Sequence, residues 1–241
     1  MQNNQLLQIG NLNSLMMGDY HGSCTVKDLL RYGDTGIGTY DGLDGEAIII
    51  NGKAYNGRAT GVVSEMNDSD SLPFSTVAKF DERVEENPLE FVSIEDFKTK
   101  MEQYIQSHNF FYMIKMEGKF KVRVRSCFVQ SEPYEPLYKV ACDQREFEYH
   151  DEEGFVVGVY CPNYVNGINM PGWHMHFISK DLTKGGHILK LSSDDCRMKI
   201  NCLDEWNLML PHTAGFEEWN LATDLKDRLA ILISSIDQLP R

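Results

Sequence analysis

The sequence predicts an α+β fold with mixed β-sheets and few helices. Short apolar segments typical of strands recur along the 241 residues, and glycine, asparagine or proline turns separate most of them. Helices longer than one turn are expected at only two places, residues 93–108 and 223–232. Strands that follow one another with so few helices favour an α+β fold over a doubly wound one.

The N-terminal elements are short. Leu6–Ile9 is predicted to be a strand, and Ser23–Leu30 a capped turn of helix. Gly33–Glu46 contains five glycines in fourteen residues, which predicts a loop with unusual φ/ψ angles. This loop lacks the Lys-Ser/Thr ending of a phosphate-binding loop. Ala47–Ile50 is the next expected strand, and Asn51-Gly52 is a typical hairpin turn.

The rest of the chain alternates strands and turns around one longer helix. Ser93–His108 has a serine cap and apolar residues at helical spacing. Gly118 and residues 151–154 are expected to be tight turns, and Thr223–Leu232 a terminal helix. Further strands are predicted at Ala59–Ser64, Ser75–Phe80, Phe110–Glu117, Lys119–Phe128, Gln144–His150, Phe155–Tyr160, Arg197–Leu203 and Trp206–Leu210.

Two prolines suggest a soft division of the chain. Pro133 and Pro136 interrupt the pattern of strands, and each side can be drawn as strand, helix and strands. We therefore expect an N-terminal half at residues 1–132, with the glycine-rich loop, and a C-terminal half at residues 133–241. A single compact domain is the alternative.

Three histidines carry the strongest chemical signal. His174 and His176 lie two residues apart in an apolar segment, so in a strand they share one face. The loop at residues 179–184 leads to Gly185-Gly186 and then to His187. If the two strands pair antiparallel about that loop, His187 lies opposite His176, about 4.5–5.5 Å away at Cα.

That arrangement predicts a metal site. One histidine on a strand is more often a packed residue than a ligand, and two could arise by chance. A third at the mirrored position of the return strand favours a shared cation. Three protein nitrogens with an open fourth position are typical of catalytic zinc, whereas structural zinc sites are closed by four ligands.

Composition narrows the classes of function. The formal net charge of −13 argues against binding to nucleic acid or to an anionic membrane surface. No signal peptide is visible, and no apolar run reaches the roughly 18 residues of a transmembrane helix. The cysteines have no paired spacing and are expected to be free thiols in a reducing compartment, so a cytoplasmic enzyme is expected. They are Cys24, Cys127, Cys142, Cys161, Cys196 and Cys202.

Several motifs together resemble a known family. Gly38–Glu46, Arg123-x-Arg125, Trp173–Phe177 and Gly185–His187 are similar to segments of the bacterial acetolactate decarboxylases, and the resemblance spans nearly the whole chain. It implies a zinc enzyme that converts 2-acetolactate to acetoin and carbon dioxide. It also implies an α+β fold of two similar β-α-β units and assembly as a homodimer.

The resemblance also implies roles for individual residues. The three histidines correspond to the zinc ligands, and Glu46, Thr39 and Arg125 to active-site residues. Members of the family typically end in an acidic tail that reaches the metal. Here only Asp237 could play that part.

Elementary chemistry agrees with those roles. A Lewis-acidic zinc stabilises the enediolate left by decarboxylation, and a planar guanidinium binds a carboxylate through two hydrogen bonds. A carboxyl group with a raised pKa, as expected for Glu46, can protonate the enediolate carbon. Arg125 or a zinc-bound water is the alternative proton donor.

Two other classes of function stay open. A cupin-like oxygenase or isomerase also has a His-x-His strand, but it usually carries a glutamate three or four residues later, where this chain has Ser179, Lys180 and Asp181. A non-catalytic metal-binding domain would need only the histidines. Glu46 and Arg125 argue against it, because a binder needs neither an acid nor a carboxylate clamp.

Overall fold

The computed structural model describes residues 4–140 and 144–221. Its strands are β1 Gln5–Ile9, β2 Cys24–Thr25, β3 Thr35–Thr39, β4 Glu46–Ile50, β5 Lys53–Gly57, β6 Val63–Glu65, β7 Ser71–Leu72, β8 Phe74–Ala78, β9 Asn87–Phe91, β10 Phe111–Cys127, β11 Gln144–Cys161, β12 Gly172–Ser179, β13 Gly185–Leu203 and β14 Glu205–Met209. Its α-helices are α1 Leu12–Met17, α2 Val26–Leu29, α3 Ile94–Met101, α4 Leu137–Val140 and α5 Ala214–Glu218. The predicted α+β class is confirmed.

The first sheet has seven strands in the order β14-β1-β8-β3-β4-β5-β6. It is mixed, because β1 runs parallel to β14 and antiparallel to β8. The sequence prediction was wrong for Thr35–Thr39, which is a strand and not part of a loop. Its glycines allow close strand packing, since a Cβ on Gly36 would lie 2.2 Å from the Thr76 carbonyl oxygen.

The second sheet closes on itself through its long strands. Strand β10 pairs antiparallel with both β11 and β13 along most of its length. Strand β12 lies against β11, and a pairing of three residues between β12 and β13 completes the ring. Strand β9 extends β13 at the edge. The short β12–β13 pairing is the part of the ring that contains the histidines.

Other sequence predictions need correction. Gly118 lies inside β10 and is not a turn; a Cβ there would lie 2.5 Å from the Cys196 Cβ, so close strand contact explains the glycine. Residues 151–154 likewise continue β11, where an irregular register absorbs the positive φ of Asp151. Of the predicted strand at residues 59–64, only Val63 and Ser64 lie in a strand, β6, and residues 59–61 form a turn and a bend. Helix α3 ends at Met101 and not at His108.

The early end of α3 has a local cause. The backbone N–H groups of Gln106 and Ser107 both donate to the Tyr112 hydroxyl at 3.0 Å, so they do not continue the helix. The predicted terminal helix at 223–232 lies outside the described residues. The division near residue 132 stays a prediction.

The two sheets pack face to face and place the site between them. An apolar core that includes Ile48, Val157 and Ile178 fills the interface. A separate apolar cluster joins α1 and α4 next to this interface. Among the described helices, none is long and apolar enough to cross a membrane. Cys24, Cys161, Cys196 and Cys202 are free thiols.

Candidate active site

The three predicted histidines converge on one point. His174 and His176 share a face of β12, and His176 lies directly opposite His187 in the β12–β13 ladder. This confirms the predicted register. The Nε2 of His174 lies 2.9 Å from the Nδ1 of His187 and 3.2 Å from the Nε2 of His176. Three ring nitrogens from two strands therefore face a common centre.

The histidine cluster is uncharged, with His176 buried and His174 and His187 half-buried. Burial, together with the nearby Arg125 guanidinium, lowers the pKa of His174 to about 3. Burial is also the main cause that holds the pKa values of His176 and His187 well below the ordinary histidine value, and the neighbouring histidines and Arg125 act in the same direction. The Nδ1 of His176 donates to the Ala47 carbonyl oxygen at 2.8 Å, which leaves the lone pair of its Nε2 directed at the cluster.

These properties fit a bound metal ion. Neutral imidazoles with convergent lone pairs are the donor set that zinc and similar divalent cations prefer. Among residues 4–140 and 144–221, this is the group of histidine, cysteine, aspartate or glutamate side chains whose ligand atoms lie close enough to hold a metal. Asp237, the one tail residue that could play the part of the family's acidic tail, lies outside the described residues.

Glu46 lies beside the histidines on the opposing sheet. It is the first residue of β4, directly opposite Thr39 in the ladder with β3. Its carboxylate Oε2 is 3.5 Å from the Nε2 of His176. Burial raises the pKa of Glu46 to about 7, although the positive charge of Arg125 acts in the other direction. A protonated carboxyl group is therefore accessible near neutral pH.

A tight turn delivers Glu46 to this position. The Thr39 hydroxyl donates to the Gly45 carbonyl oxygen at 2.8 Å, and the Asn56 amide donates to the Asp44 carbonyl oxygen at 2.8 Å. Gly45 has a φ of +73°, and a Cβ there would lie 2.1 Å from the Asn56 Oδ1. Only glycine fits this turn.

A half-buried ion pair between Arg58 and Asp44 stabilises the same turn. The Arg58 Nε donates to the Asp44 carboxylate at 2.8 Å, and the Arg58 Nη1 donates to the Ser64 hydroxyl. Sequence analysis did not identify Asn56 or Arg58. The one available signal was the Asn51-Gly52 hairpin, whose register puts Asn56 opposite Ala47.

Arg125 completes the polar group. It lies opposite His187 in the β10–β13 ladder and is 9% exposed. Its Nη1 donates to the Gln144 Oε1 at 2.9 Å, while its Nε is buried and has no partner within the described part of the chain. Among the described residues, Arg125 forms no ion pair with a carboxylate. It is therefore a buried cation with hydrogen-bond donors left for a ligand.

One cavity of about 80 Å³ connects these groups. Thr39, Glu46, Arg125, His174 and His187 form its polar wall. The apolar wall comes from short helices and their neighbouring segments, and comprises Leu12, Leu15, Leu43, Phe74, Leu137 and Met170. Such a cavity can bind a small anion with apolar substituents, polarise it through a metal, and supply a proton from Glu46.

The structure brings the predicted residues together. Thr39, Glu46, Arg125 and the three histidines, which are spread over 149 positions of the sequence from 39 to 187, all lie at this one site. Arg123 of the same strand does not line the cavity. The structure also identifies Gln144, which sequence analysis missed because no local pattern marks it.

Comparisons with known proteins point to one family. A sequence model of alpha-acetolactate decarboxylase matches residues 6–223. The alpha-acetolactate decarboxylase of Brevibacillus brevis is 39% identical over 220 residues, which cover 90% of this chain and 77% of that protein. The alpha-acetolactate decarboxylase of Bacillus subtilis strain 168 is 34% identical over 218 residues, covering 90% and 86%.

Solved structures agree in fold. The crystal structure of alpha-acetolactate decarboxylase from Bacillus subtilis strain 168 superposes with a TM-score of 0.90 at 32% identity, covering 96% of this chain and 98% of that one. A Staphylococcus aureus protein described as similar to alpha-acetolactate decarboxylase gives a TM-score of 0.89 at 30% identity, covering 96% and 99%. The chain belongs to the alpha-acetolactate decarboxylase family.

Proposed function

We propose that this protein is a zinc-dependent enzyme that decarboxylates 2-acetolactate to acetoin and carbon dioxide. The observation that carries the proposal is the site itself: three neutral histidines converge there, and a cavity joins two of them, His174 and His187, to a buried carboxyl group and to a buried arginine that has no carboxylate partner among the described residues. Membership of the family supports the substrate, because the relatives are named for it.

His174, His176 and His187 would hold the zinc ion. When bound, zinc supplies a Lewis acid that withdraws electrons from the oxygens next to the breaking bond. The hydrogen bond from the His176 Nδ1 to the Ala47 carbonyl fixes the orientation of that ring. Because Ala47 belongs to the opposing sheet, the metal ligands and Glu46 are held in register with one another.

Arg125 binds the carboxylate of the substrate. Its guanidinium is buried, and its Nε has no partner among the described residues, so an incoming carboxylate meets unused donors. A guanidinium and a carboxylate match through two parallel hydrogen bonds. This contact orients the substrate with its carboxylate turned toward Arg125.

Glu46 provides the proton that completes the reaction. The bond between carbon 2 and the carboxylate carbon breaks, carbon dioxide leaves, and the electron pair stays on the carbon skeleton. A proton from the Glu46 carboxyl group then forms the new carbon–hydrogen bond, and solvent returns a proton to Glu46. Thr39 positions this acid by holding the Gly45 carbonyl.

A direct assay tests the proposal. The purified protein, loaded with zinc, is incubated with racemic acetolactate, and acetoin is measured over time. We expect acetoin formation in the loaded protein, loss of activity after chelation, and recovery on adding zinc. A zinc-loaded, folded protein that forms no acetoin would contradict the proposed function.

Two further expectations come from the family resemblance. We propose assembly as a homodimer and a cytoplasmic location for the native protein. Sedimentation of the purified chain tests the first, and fractionation of cells tests the second. A monomer at assay concentrations, or recovery of the protein outside the cytoplasm, would contradict the respective proposal.

A further inference from the structure

Two arginines and two acceptors face one another on neighbouring strands. Arg123 and Arg125 lie two residues apart in β10, and Gln144 and Glu146 lie two apart in β11. Side chains two residues apart share a face of a strand. In the ladder, Arg125 is directly opposite Glu146, and such Cα atoms lie about 4.5–5.5 Å apart. Register alone therefore predicts an ion pair between Arg125 and Glu146.

The structure has the other pairing. The Glu146 carboxylate lies 2.5 Å from the Nη2 of Arg123, its diagonal neighbour. Arg125 instead donates to the neutral Gln144 amide oxygen at 2.9 Å. The charged Glu146 thus pairs with Arg123, which lies outside the cavity. The neutral Gln144 accepts from Arg125, which lines the cavity.

We propose that Arg123 and Gln144 are positioning residues that keep Arg125 free to bind the substrate carboxylate. Arg123 holds the Glu146 carboxylate away from Arg125, and Gln144 orients the guanidinium without neutralising it. This inference rests on the proposed function, because it concerns how Arg125 meets its substrate. Arg123 itself touches no part of the cavity within the described residues.

The physical reason is competition for one guanidinium. An internal carboxylate and a substrate carboxylate need the same donors, so a permanent counter-ion would weaken substrate binding. A neutral amide accepts one hydrogen bond and leaves the charge of Arg125 intact. The Arg125 Nε has no hydrogen-bond partner in residues 4–140 and 144–221, which agrees with a guanidinium whose donors are left available for a ligand.

Removal of Arg123 should therefore act through Glu146. In Arg123→Ala, the Glu146 side chain loses its partner and can turn to Arg125, which its backbone already faces. We expect KM for acetolactate to rise on the order of tenfold, with a smaller change in kcat. The double variant Arg123→Ala/Glu146→Gln has no carboxylate to turn, so its KM should return to within about twofold of wild type.

Gln144 offers an independent test. Gln144→Glu preserves the shape of the side chain and gives Arg125 a counter-ion, so KM should again rise on the order of tenfold. The surface change Gln103→Glu adds the same charge at an exposed position and serves as the matched control. Arg31→Ala, which removes an exposed arginine, is the control for Arg123→Ala.

All variants are compared in zinc content, thermal unfolding and steady-state kinetics. An unchanged KM in a folded Arg123→Ala variant, or a double variant as impaired as the single one, would overturn the inference. An unchanged KM in Gln144→Glu would do the same if Arg123→Ala does not fold. If the wild type forms no acetoin, the proposed function fails. The positioning role is then tested by calorimetric titration of the same variants with pyruvate. The Kd for pyruvate should rise in Arg123→Ala and Gln144→Glu and return toward the wild-type value in the double variant.

Discussion

The two walls of the cavity are built from different kinds of structure. The polar wall comes from strands: Thr39 and Glu46 from one sheet, and Arg125 and the histidines from the other. Much of the apolar wall comes from α1, which has six residues, and α4, which has four. Ladder hydrogen bonds fix the first wall, whereas caps and side-chain packing hold the second.

This difference assigns the reaction steps to the polar wall and the fit of the substrate to the apolar wall. Strand positions hold the proposed catalytic groups with little freedom, because the strands that carry them are paired with neighbouring strands. Side chains on short helices can change size without moving the strands. We therefore expect changes in the polar wall to abolish reaction steps, and changes in the apolar wall to alter which substrates fit.

Loss of two histidines should break the polar wall most completely. In His174→Ala/His176→Ala, two of three donors are missing, so zinc content should fall from about one per chain to background, and acetoin formation should fall with it. Metal analysis of the purified protein measures this. His150→Ala, at an exposed position of β11, should keep both metal and activity. Near-stoichiometric zinc in the double variant would rule out this metal site.

Removal of the proton donor should have the next largest effect. Glu46→Gln keeps the shape of the side chain and removes the titrating proton, so acetoin formation should fall by roughly 10²–10⁴ while zinc content stays unchanged. Glu90→Gln changes an exposed glutamate of β9 in the same way and should have no effect. Near wild-type turnover in Glu46→Gln would transfer the role to Arg125 or to a zinc-bound water.

Sequence analysis predicted the residues of the polar wall better than it predicted the contacts that hold them in position. The period of two along a strand placed His174 and His176 on one face, and an antiparallel return predicted His187 opposite His176. These are local rules, and the structure follows them. The hydrogen bond from His176 to Ala47 joins residues 129 positions apart, and no local pattern encodes such a contact.

Glycine explains most of the errors in the predicted fold. Gly36 and Gly118 suggested a loop and a turn, yet both lie inside strands where a neighbouring strand leaves no room for a Cβ. The residue type was informative in both cases, but it signalled close packing and not chain reversal. Gln144 and Glu146 were missed for a related reason, since their importance depends on the register between β10 and β11.

Arg125→Lys should have a smaller effect than loss of the acid. The charge remains, but the planar fork that binds a carboxylate through two hydrogen bonds is lost. We expect kcat/KM to fall about tenfold to a hundredfold, mainly through KM. Arg31→Lys, at an exposed position, is the control. If Arg125→Lys and Arg31→Lys have equally mild effects on kcat/KM, Arg125 does not bind the substrate carboxylate.

The smallest effect on acetolactate itself is expected in the apolar wall. Leu15 lies on α1 and lines the apolar side of the cavity, where we expect the alkyl groups of the substrate to lie when its carboxylate is bound to Arg125. Leu15→Ala enlarges this space, so activity on acetolactate should change only a few-fold. In Leu15→Ala, kcat/KM should increase for a homologue of acetolactate with one more methylene on the alkyl group at carbon 2. One methylene in an apolar pocket changes discrimination between substrates by about 10–200-fold.

The control for Leu15→Ala must share its loss of stability. Leu29→Ala removes a leucine of α2 that is also buried and does not line the cavity, and each change should cost about 2–5 kcal/mol of unfolding free energy. The ratio of kcat/KM for the larger homologue to that for acetolactate should rise about tenfold in Leu15→Ala and stay constant in Leu29→Ala. The same ratio in both variants would mean that shape selection does not depend on α1, and that the polar wall alone chooses the substrate.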